Sequence, residues 1–349
     1  MNANSNEYKK ILVIQTAFLG DVILTTALIR TMKKTFPNSE IDIITIPPTA
    51  EIFKYNPYIN NIIIFNKRKA TAKLYSSIKL ILKLRKKHYD LAFSVQGSFT
   101  SSLLMYLGNI HRRVGFVRQK LLTDKVPLDQ RIHASKRHLN LLKIFTNSTY
   151  DYQTEIFWSE NEERHAKKII DEARLKHQYI IGIAPGSIWN TKRWPEEYFI
   201  ALLNRLTKYR FKIFLLGGKE DYQLCQRIIE KSNSNATNLA GQLTILESCS
   251  LIDKVDLMIS NDSAPLHIAN AVKTDVFAIF GPTVKEFGFF PFREKDKIFE
   301  VDLPCRPCSK HGGRRCPEKH FQCMRRILPS TIVHEVIDYF NKKYEEHLY

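Results

Sequence analysis

Short apolar runs alternate with longer helical patterns along most of this chain. In the first half the runs cover residues 11–15, 41–46, 61–65 and 91–95, and a helical pattern follows the first of them over 22–35. In the second half they cover residues 179–184, 212–216, 255–260 and 276–280. Continuous Ile, Val and Leu runs separated by helices are typical of parallel strands covered on both faces. The pattern therefore predicts an α/β protein.

The alternation is interrupted once, by a polar and aromatic stretch at residues 147–161. A helical pattern at 162–175 follows, and the strand runs then begin again. Two doubly wound units of similar size predict twin Rossmann-like domains that face a central cleft. We place the first domain at residues 1–160 and the second at 161–328, with a capped amphipathic helix over 329–349.

Length and composition narrow the class of protein. A chain of 349 residues with 44% hydrophobic residues can fill two cores. The first ten residues are polar, and no apolar run approaches the ~18 residues of a membrane span, so we expect a cytoplasmic protein.

The chain is strongly basic, with 53 Lys and Arg against 35 Asp and Glu and a formal charge of +18. Such a charge indicates an anionic partner: nucleic acid, an acidic membrane surface or a phosphorylated substrate. A solvated, Lys-rich surface is the alternative. Residues 67–88 concentrate these charges around a stripe of Leu and Ile, which suits a helix that covers the sheet or one that lies on an anionic membrane.

Several predicted strands end in turns that suit an anionic ligand. Asn261 or Asp262 can cap a helix whose first free N–H groups, at Ser263 and Ala264, point beyond the strand end. An ordinary capped turn is the alternative. Asp21, after the first strand, is either a general base or the cap of the next helix.

Two further turns belong to the second half of the chain. Residues 184–187 read Ala-Pro-Gly-Ser, and Lys192 and Arg193 follow, which can neutralise a diphosphate near Ser187. The turn at 216–221 is rich in glycine and carries acids that can accept hydrogen bonds from a ribose diol. Residues 239–244 form one more polar turn.

Four of the six cysteines are close in sequence, with histidines between them: Cys305, Cys308, Cys316 and Cys323. A CxxC pair with two more cysteines suits a structural zinc site, although the second pair is loosely spaced. A reduced cluster without metal is the alternative, and a bound zinc ion would have a structural role.

Taken in order, these motifs resemble those of the bacterial ADP-heptose:lipopolysaccharide heptosyltransferases, glycosyltransferase family 9. The resemblance covers residues 10–328, and the cysteine-rich stretch is similar to that of the heptosyltransferase II branch. The matching segments are 15–22, 185–187, 192–195, 217–218, 240–241, 261–267 and 280–283.

The resemblance implies a GT-B fold with an acceptor domain, a nucleotide-sugar domain and a final helix that packs back toward the first domain. It implies inverting, metal-independent transfer of a heptose from ADP-heptose to the inner core of lipopolysaccharide. The ADP-sugar is then a co-substrate, and no further cofactor is required. The lipid A–core acceptor places the enzyme peripherally on the cytoplasmic face of the inner membrane.

The resemblance also assigns roles to residues. Asp21 matches the general base, and Lys192 matches the catalytic cation on the donor diphosphate. Asp262 is expected to be the cap that aims the N–H groups of the next residues. The donor-binding set is Ser187, Lys192, Glu220, Asp262, Ser263, Ala264 and His267, and the acceptor-binding set is Gln96, Arg112, Arg113 and Arg118.

One departure and two rival functions remain. Many family members carry an Asp where this chain has Ser94, which leaves the acceptor sugar open. A GT-B enzyme with another nucleotide-sugar donor is the first rival. A nucleic-acid-binding protein is the second, but the basic residues are dispersed and lack an aromatic-and-basic motif, so we expect no nucleic acid partner.

Overall fold

The computed structural model describes residues 8–66, 70–176 and 179–346. Their contacts divide the chain into two compact units, residues 1–159 and 160–349. Each unit is built around one parallel sheet of six strands.

The sheet of the first unit has the order β3-β2-β1-β4-β5-β6. Its strands are β1 (Lys10–Ile14), β2 (Glu40–Thr45), β3 (Asn61–Ile64), β4 (Leu91–Ser94), β5 (Arg112–Phe116) and β6 (Asp124–Val126). Its helices are α1 (Leu19–Leu24), α2 (Thr26–Thr35), α3 (Ala70–Lys87), α4 (Phe99–Leu107) and α5 (Ala134–Leu139), with 3-10 turns at Pro47–Phe53 and Asn140–Leu142.

The sheet of the second unit has the order β12-β11-β10-β7-β8-β9. Its strands are β7 (Tyr179–Ala184), β8 (Phe211–Leu215), β9 (Thr237–Asn238), β10 (Leu257–Asn261), β11 (Val276–Ile279) and β12 (Lys297–Phe299). Its helices are α6 (Glu160–Arg174), α7 (Glu196–Leu206), α8 (Tyr222–Glu230), α9 (Ile245–Lys254), α10 (Ala264–Ala271), α11 (Gln322–Arg325) and α12 (Pro329–Glu346), and 3-10 turns lie at Asn190–Lys192, Lys219–Asp221 and Lys285–Phe287.

The central strands are apolar on both faces because both faces are covered. Strand β1 pairs in parallel with β2 and with β4, and Ile11 to Ile14 are fully buried. In the second unit β10 pairs in parallel with β7 and β11. The expectation of a doubly wound α/β fold is confirmed.

Both sheets use the same strand order when each unit is counted from its own first strand: 3-2-1-4-5-6. In this order the chain direction across the sheet reverses between the first and fourth strands, so a crevice opens at their carboxyl ends. That point lies between β1 and β4 in the first unit and between β7 and β10 in the second. Four of the predicted site turns follow these strands, and the turns at 216–221 and 239–244 follow β8 and β9.

The helix predicted over 22–35 is two helices. Helix α1 ends at Leu24 and α2 begins at Thr26, with Thr25 between them. Because the Thr25 hydroxyl donates to the Asp21 carbonyl at 2.9 Å, it competes with the regular backbone bonding at this position. The sequence pattern also missed β5, β6, β9 and β12.

Helix α3 covers the first sheet, as one of the two readings of residues 67–88 predicted. Leu80 and Leu84 pack in the core with Leu12 and Ile14. Residues 67–69 of the predicted basic segment lie outside the described residues. Among the described helices, none is long and apolar enough to cross a membrane.

Helix α12 packs on the core of the second unit. Ile332, Val336 and Phe340 are buried there together with side chains of α7. The Tyr339 hydroxyl donates to Asp275 at 2.9 Å and to the Asp256 carbonyl at 3.1 Å. These bonds join the last helix to the residues that directly precede β11 and β10.

Candidate active site

Asp21 lies in the first turn of α1, directly beyond the carboxyl end of β1. It is the third residue of the helix, and Phe18 occupies the cap position, so Asp21 is not the cap. Its side chain is partly exposed. A carboxylate inside the turn, rather than bound to the helix end as a cap, can meet a ligand at this edge of the sheet.

A buried polar network fixes the backbone around Asp21. The Gln15 side-chain amide donates to the Thr25 hydroxyl at 2.8 Å and to the Asp21 carbonyl at 3.3 Å. The Ala17 amide donates back to the Gln15 side chain at 3.3 Å. Because buried amides and hydroxyls must be satisfied, these bonds hold the turn in one arrangement.

His138 of α5 contacts the residues that end α1 and follow it. Its Nδ1 lies 3.2 Å from the Leu24 carbonyl and 3.5 Å from the Thr25 hydroxyl. Burial lowers the pKa of His138 to about 4, so the ring is neutral at pH 7. A neutral ring that donates to Leu24 is a fixed part of the support, and sequence reasoning missed it because His138 is far away in the chain.

Arg137, beside His138, adds a buried positive charge near Asp21. The residue is only 8% exposed. Burial lowers the pKa of its guanidinium, whereas the charges of Asp21 and Asp129 act in the opposite direction. This cation opposite Asp21 was also missed, since nothing in the sequence distinguishes it from a surface arginine.

Of the four residues predicted to bind the acceptor, Gln96 contacts the Asp21 turn, and Arg112 and Arg113 make other contacts within the first unit. Gln96 lies at the carboxyl end of β4 and accepts a hydrogen bond from the Thr16 hydroxyl at 3.2 Å, so it joins the Asp21 turn. Arg112 is paired with Asp124 at 3.1 Å, and Arg113 donates to the Leu121 carbonyl at 2.8 Å. Arg118 is exposed.

Ser94, the departure from the family pattern, is completely buried. Its hydroxyl donates to the Gln96 carbonyl at 2.8 Å and accepts from the Gln119 amide at 2.6 Å. The serine therefore shapes the turn that carries Gln96.

In the second unit, Asn261 joins the two turns of the crevice. It ends β10, is fully buried, and donates to the Pro185 carbonyl at 2.9 Å. Its side-chain oxygen accepts from the Trp194 amide at 3.1 Å. One buried amide therefore sets the spacing between the turn after β7 and the turn after β10.

Lys192 and Asp262 form the ion pair of this crevice. Lys192 Nζ lies 2.5 Å from Asp262 Oδ2, and the Thr283 hydroxyl donates to the same oxygen at 2.6 Å. The two side chains are 13% and 6% exposed. At such burial, removing one partner leaves the other charge without its counter-ion.

The expectation that Asp262 caps α10 is wrong. The cap position is Ser263, which has an extended backbone and makes no side-chain cap bond, and Ala264 is the first helical residue. The Asp262 carboxylate is instead taken by Lys192 and Thr283, whose positions the local capping rule does not consider. Asp262 therefore contacts the Lys192 ammonium group rather than the end of the helix.

Two more residues of the predicted donor-binding set, His267 and Ser187, belong to the segments that follow β10 and β7. His267, one turn into α10, is 5% exposed, and burial lowers its pKa to about 4. Ser187 is buried, and its carbonyl accepts from Arg193 Nε at 2.7 Å. Arg193 therefore stabilises the Ser187 turn.

The glycine turns approach each other closely around Asp221. A Cβ placed on Gly186 would lie 2.2 Å from Asp221 Oδ1, and one on Gly217 would lie 2.7 Å from Oδ2. Burial raises the pKa of Asp221, and Glu220 raises it further. Glu220 itself is exposed. Glu220 lies against Gly218, whose added Cβ would be 2.6 Å from Oε2, whereas the carboxylate against Gly186 and Gly217 is Asp221, which the sequence analysis did not name as a site residue.

The cysteines are all free thiols. Cys308 Sγ donates to the Cys305 carbonyl at 3.1 Å, and Cys305 Sγ lies 3.9 Å from His320 Nε2. Cys323 is buried in the core of the second unit. Within the described parts of the chain, no three His, Cys, Asp or Glu side chains are placed to hold a metal ion, so the zinc alternative for these cysteines receives no support.

Comparison with known proteins gives consistent matches. The model of glycosyltransferase family 9 (heptosyltransferase) matches residues 77–320. Lipopolysaccharide heptosyltransferase 3 of Escherichia coli is 31% identical over 76% of this chain and 82% of its own length. Lipooligosaccharide heptosyltransferase 2 of Campylobacter jejuni (strain 81116) is 26% identical over 94% of this chain and 98% of its own.

A solved structure extends the similarity to the fold. The E. coli ADP-heptose lps heptosyltransferase II superimposes with a TM-score of 0.79 at 23% identity, over 96% of this chain and 99% of that one. At this identity the match is evidence about the fold alone.

Proposed function

This chain belongs to glycosyltransferase family 9, the heptosyltransferase family, and from that premise we propose that it transfers a heptose from ADP-heptose to the inner core of lipopolysaccharide. The observation that carries the proposal is the Lys192–Asp262 pair, which lies at the switch point of the second sheet and directly before α10. The relatives named for lipopolysaccharide and lipooligosaccharide support the acceptor class.

The donor diphosphate binds at this cationic edge in our proposal. An ammonium group has three N–H bonds, and Asp262 accepts one of them, so the others are available to phosphate oxygens. The amides of Ser263 and Ala264 begin α10, where N–H groups favour an anion. Ser187 adds a hydroxyl at the neighbouring turn, and the neutral His267 adds no charge.

The nucleoside is proposed to extend toward the glycine turns. We keep Glu220 as a ribose-binding candidate and add Asp221, because only Asp221 packs against Gly186 and Gly217. A carboxylate there can accept hydrogen bonds from a ribose diol.

Asp21 is proposed as the general base. It takes the proton of an acceptor hydroxyl while that oxygen forms a bond to the anomeric carbon on the face opposite ADP. The bond from the anomeric carbon to the diphosphate oxygen breaks, so the configuration inverts and ADP leaves with the electron pair. Lys192 and the first amides of α10 stabilise the charge that develops on the diphosphate, and no metal ion is required for this step.

The acceptor is anchored in a membrane, and we propose that the enzyme associates peripherally with the cytoplasmic face of the inner membrane. The net charge of +18 and the outer face of α3, with exposed Ile78 and Leu82 among lysines, support this. Gln96 and Arg118 are the acceptor-binding candidates whose positions best suit a ligand, since Arg112 and Arg113 serve internal contacts.

The test follows ADP release from ADP-heptose in the presence of truncated lipopolysaccharide cores. We expect Asp21→Asn to lower kcat at least ~100-fold, the usual scale for a general base, while ADP affinity stays unchanged. Glu40→Gln, an exposed carboxylate at the opposite edge of the first sheet, is the matched control. EDTA should leave the rate unchanged.

Two results would count against the proposal. Near-normal turnover by Asp21→Asn would remove Asp21 as the base. Turnover with another nucleotide sugar, but none with ADP-heptose, would show the rival function, a GT-B enzyme with a different donor.

The variant Lys192→Met should weaken ADP binding. The double variant Lys192→Met/Asp262→Asn, which also removes the charge that Lys192→Met leaves unpaired, should weaken it as well.

A further inference from the structure

The cysteine-rich segment, residues 305–323, is bound directly to the turn that carries Lys192. Gly313 N donates to the Thr191 hydroxyl at 2.7 Å, and that hydroxyl lies 3.1 Å from the Gly313 carbonyl. The Thr191 amide donates to the same carbonyl at 3.0 Å. Thr191 is 6% exposed, so these bonds are shielded from water. They join residues more than a hundred positions apart.

The segment also contacts the stem of the lysine. Gly312 has a left-handed backbone with φ of +85°. A Cβ at this position would lie 3.1 Å from Lys192 Cγ and 3.2 Å from Trp189 Cβ. Glycine adopts this backbone without strain, and its missing Cβ leaves room for the close approach. The loop therefore packs against one side of the Lys192 side chain.

A second attachment of the segment reaches the turn at 282–283, which bonds to Asp262, the ion-pair partner of Lys192. Cys308 N donates to the Pro282 carbonyl at 3.0 Å. Arg306, 5% exposed, donates to the Thr283 carbonyl at 2.8 Å and pairs with Glu300 at 2.9 Å. Since the Thr283 hydroxyl binds Asp262, the segment holds the turns on both sides of the Lys192–Asp262 pair.

The far end of the segment is fixed in the core. Cys323 and Met324 are buried with the apolar side chains of the second unit. A loop that is anchored at Pro282, at Thr191 and in the core has little freedom to leave the crevice.

We propose that the cysteine-rich segment is a wall of the donor site, and that Thr191 is the positioning residue through which this wall holds Lys192 ready for the diphosphate. The inference rests on the proposed function, because it assumes that Lys192 meets the donor. A free lysine loses rotamer freedom when it binds a phosphate, and a lysine already held by the wall loses less. The wall should therefore contribute to donor affinity without touching the acceptor.

The test measures ADP binding by calorimetry and steady-state kinetics on Thr191→Val. This change removes the hydroxyl and keeps the shape, so Gly313 N loses its acceptor. We expect the Kd for ADP to rise roughly tenfold and the KM for the donor to rise with it, whereas the KM for the acceptor stays constant. Thr191→Ser should restore both values to within about twofold, because it keeps the hydroxyl.

Thr207→Val is the matched control. Thr207 also donates its hydroxyl to a carbonyl, that of Asn204 at 2.8 Å, but it ends α7 away from the crevice. A second variant, Gly312→Ala, acts on the same contact through the clash with Lys192 and should weaken ADP binding in the same direction.

The outcomes separate this inference from the function on which it rests. If the wild type binds no ADP, the proposed function and the wall are both wrong. If the wild type binds ADP and folded Thr191→Val binds it equally well, only the wall is wrong. A lower Tm with unchanged ADP affinity would show that the Thr191 bonds serve stability alone.

Discussion

At the scale of single residues, the turns of the two crevices depend on buried side-chain amides. Gln15, directly after β1, bonds to Asp21 and Thr25 within the following turn, whereas Asn261, at the end of β10, bonds to the distant residues Pro185 and Trp194. An amide suits this task because it donates and accepts without bringing a charge into the interior.

The sequence could predict which residues follow the strand ends but not what each one contacts. Asp21, Lys192 and Ser263 follow strands, and strand ends in a doubly wound sheet share one edge. The contact of Asp262 depends on Lys192, seventy residues earlier, and a rule about local capping contains no such information. His138 was missed for the same reason, because its partner Leu24 lies more than a hundred residues earlier.

His138 makes one prediction about stability and pH. The pKa of His138 in the folded protein is about 4, below the ordinary 6.5, so the unfolded chain binds the extra proton first. This contribution to stability is fully present above pH 6.5 and is lost as the pH falls toward 4. We expect the first unit to lose up to about 2 kcal/mol between pH 7 and pH 5 through this group.

The variant His138→Asn tests it, because an asparagine amide can replace Nδ1 as donor to Leu24 but does not titrate. Urea unfolding of the first unit at pH 7 and pH 5 should show a smaller pH effect in His138→Asn than in the wild type. An equal pH effect in both proteins would refute the assignment. His133→Asn, which changes a second buried histidine of the same unit, serves as the comparison.

At the scale of elements, the predicted strands are those that combine length with a continuous apolar run. Strands β1, β2 and β7 are covered on both faces and therefore show this pattern. Strand β5 begins with Arg112 and Arg113, and β6 has three residues, Asp124 to Val126. Strands near the edge of a sheet are less buried and can carry charged residues. The continuous apolar run that identifies a strand in the sequence is therefore absent from β5 and β6.

Helix α3 makes a prediction about membranes. Its inner face is in the core, while Ile78 and Leu82 are 50% and 60% exposed and Lys79 and Lys83 lie beside them. We expect the protein to bind vesicles that contain anionic lipid, with a strong dependence on salt. Ile78→Asp/Leu82→Asp should lower the vesicle-bound fraction at least about tenfold, because two apolar contacts are lost and two repulsive charges are gained.

A flotation assay with anionic and neutral vesicles measures this effect. Leu175→Asp, at an 84% exposed position of the second unit, controls for the added charge. Equal binding of the α3 double variant and the wild type would exclude α3 as the membrane contact.

At the scale of the whole molecule, the alternation of strands and helices predicted the class of both units, because each sheet must bury its strands under helices. The identical strand orders follow from the same principle: right-handed crossovers allow few arrangements. The charge of +18 constrained the partner to an anion but did not select among a membrane, a nucleotide and a nucleic acid.

Because the chain forms two units, ADP should stabilise one of them more than the other. ADP at a hundred times its Kd should stabilise the unit that binds it by about 2.7 kcal/mol. We expect slower amide exchange in β7, β10 and the first turn of α10, and a smaller change in β1 and β4. Lys192→Met should reduce the effect. If amide exchange slowed mainly in the first unit, the proposal that the nucleotide binds to the second unit would be wrong.

The position of α12 in the second core has a consequence for biosynthesis. The first unit has all six strands of its sheet once residue 126 has been made, whereas the second core needs Ile332, Val336 and Phe340 of α12. On the ribosome, domains fold as units in the order of synthesis. We therefore expect the nascent chain to carry a folded N-terminal half attached to an open one, with nucleotide affinity appearing only after α12 has been made. Ribosomes stalled before residue 329 should display chains that cannot retain ADP.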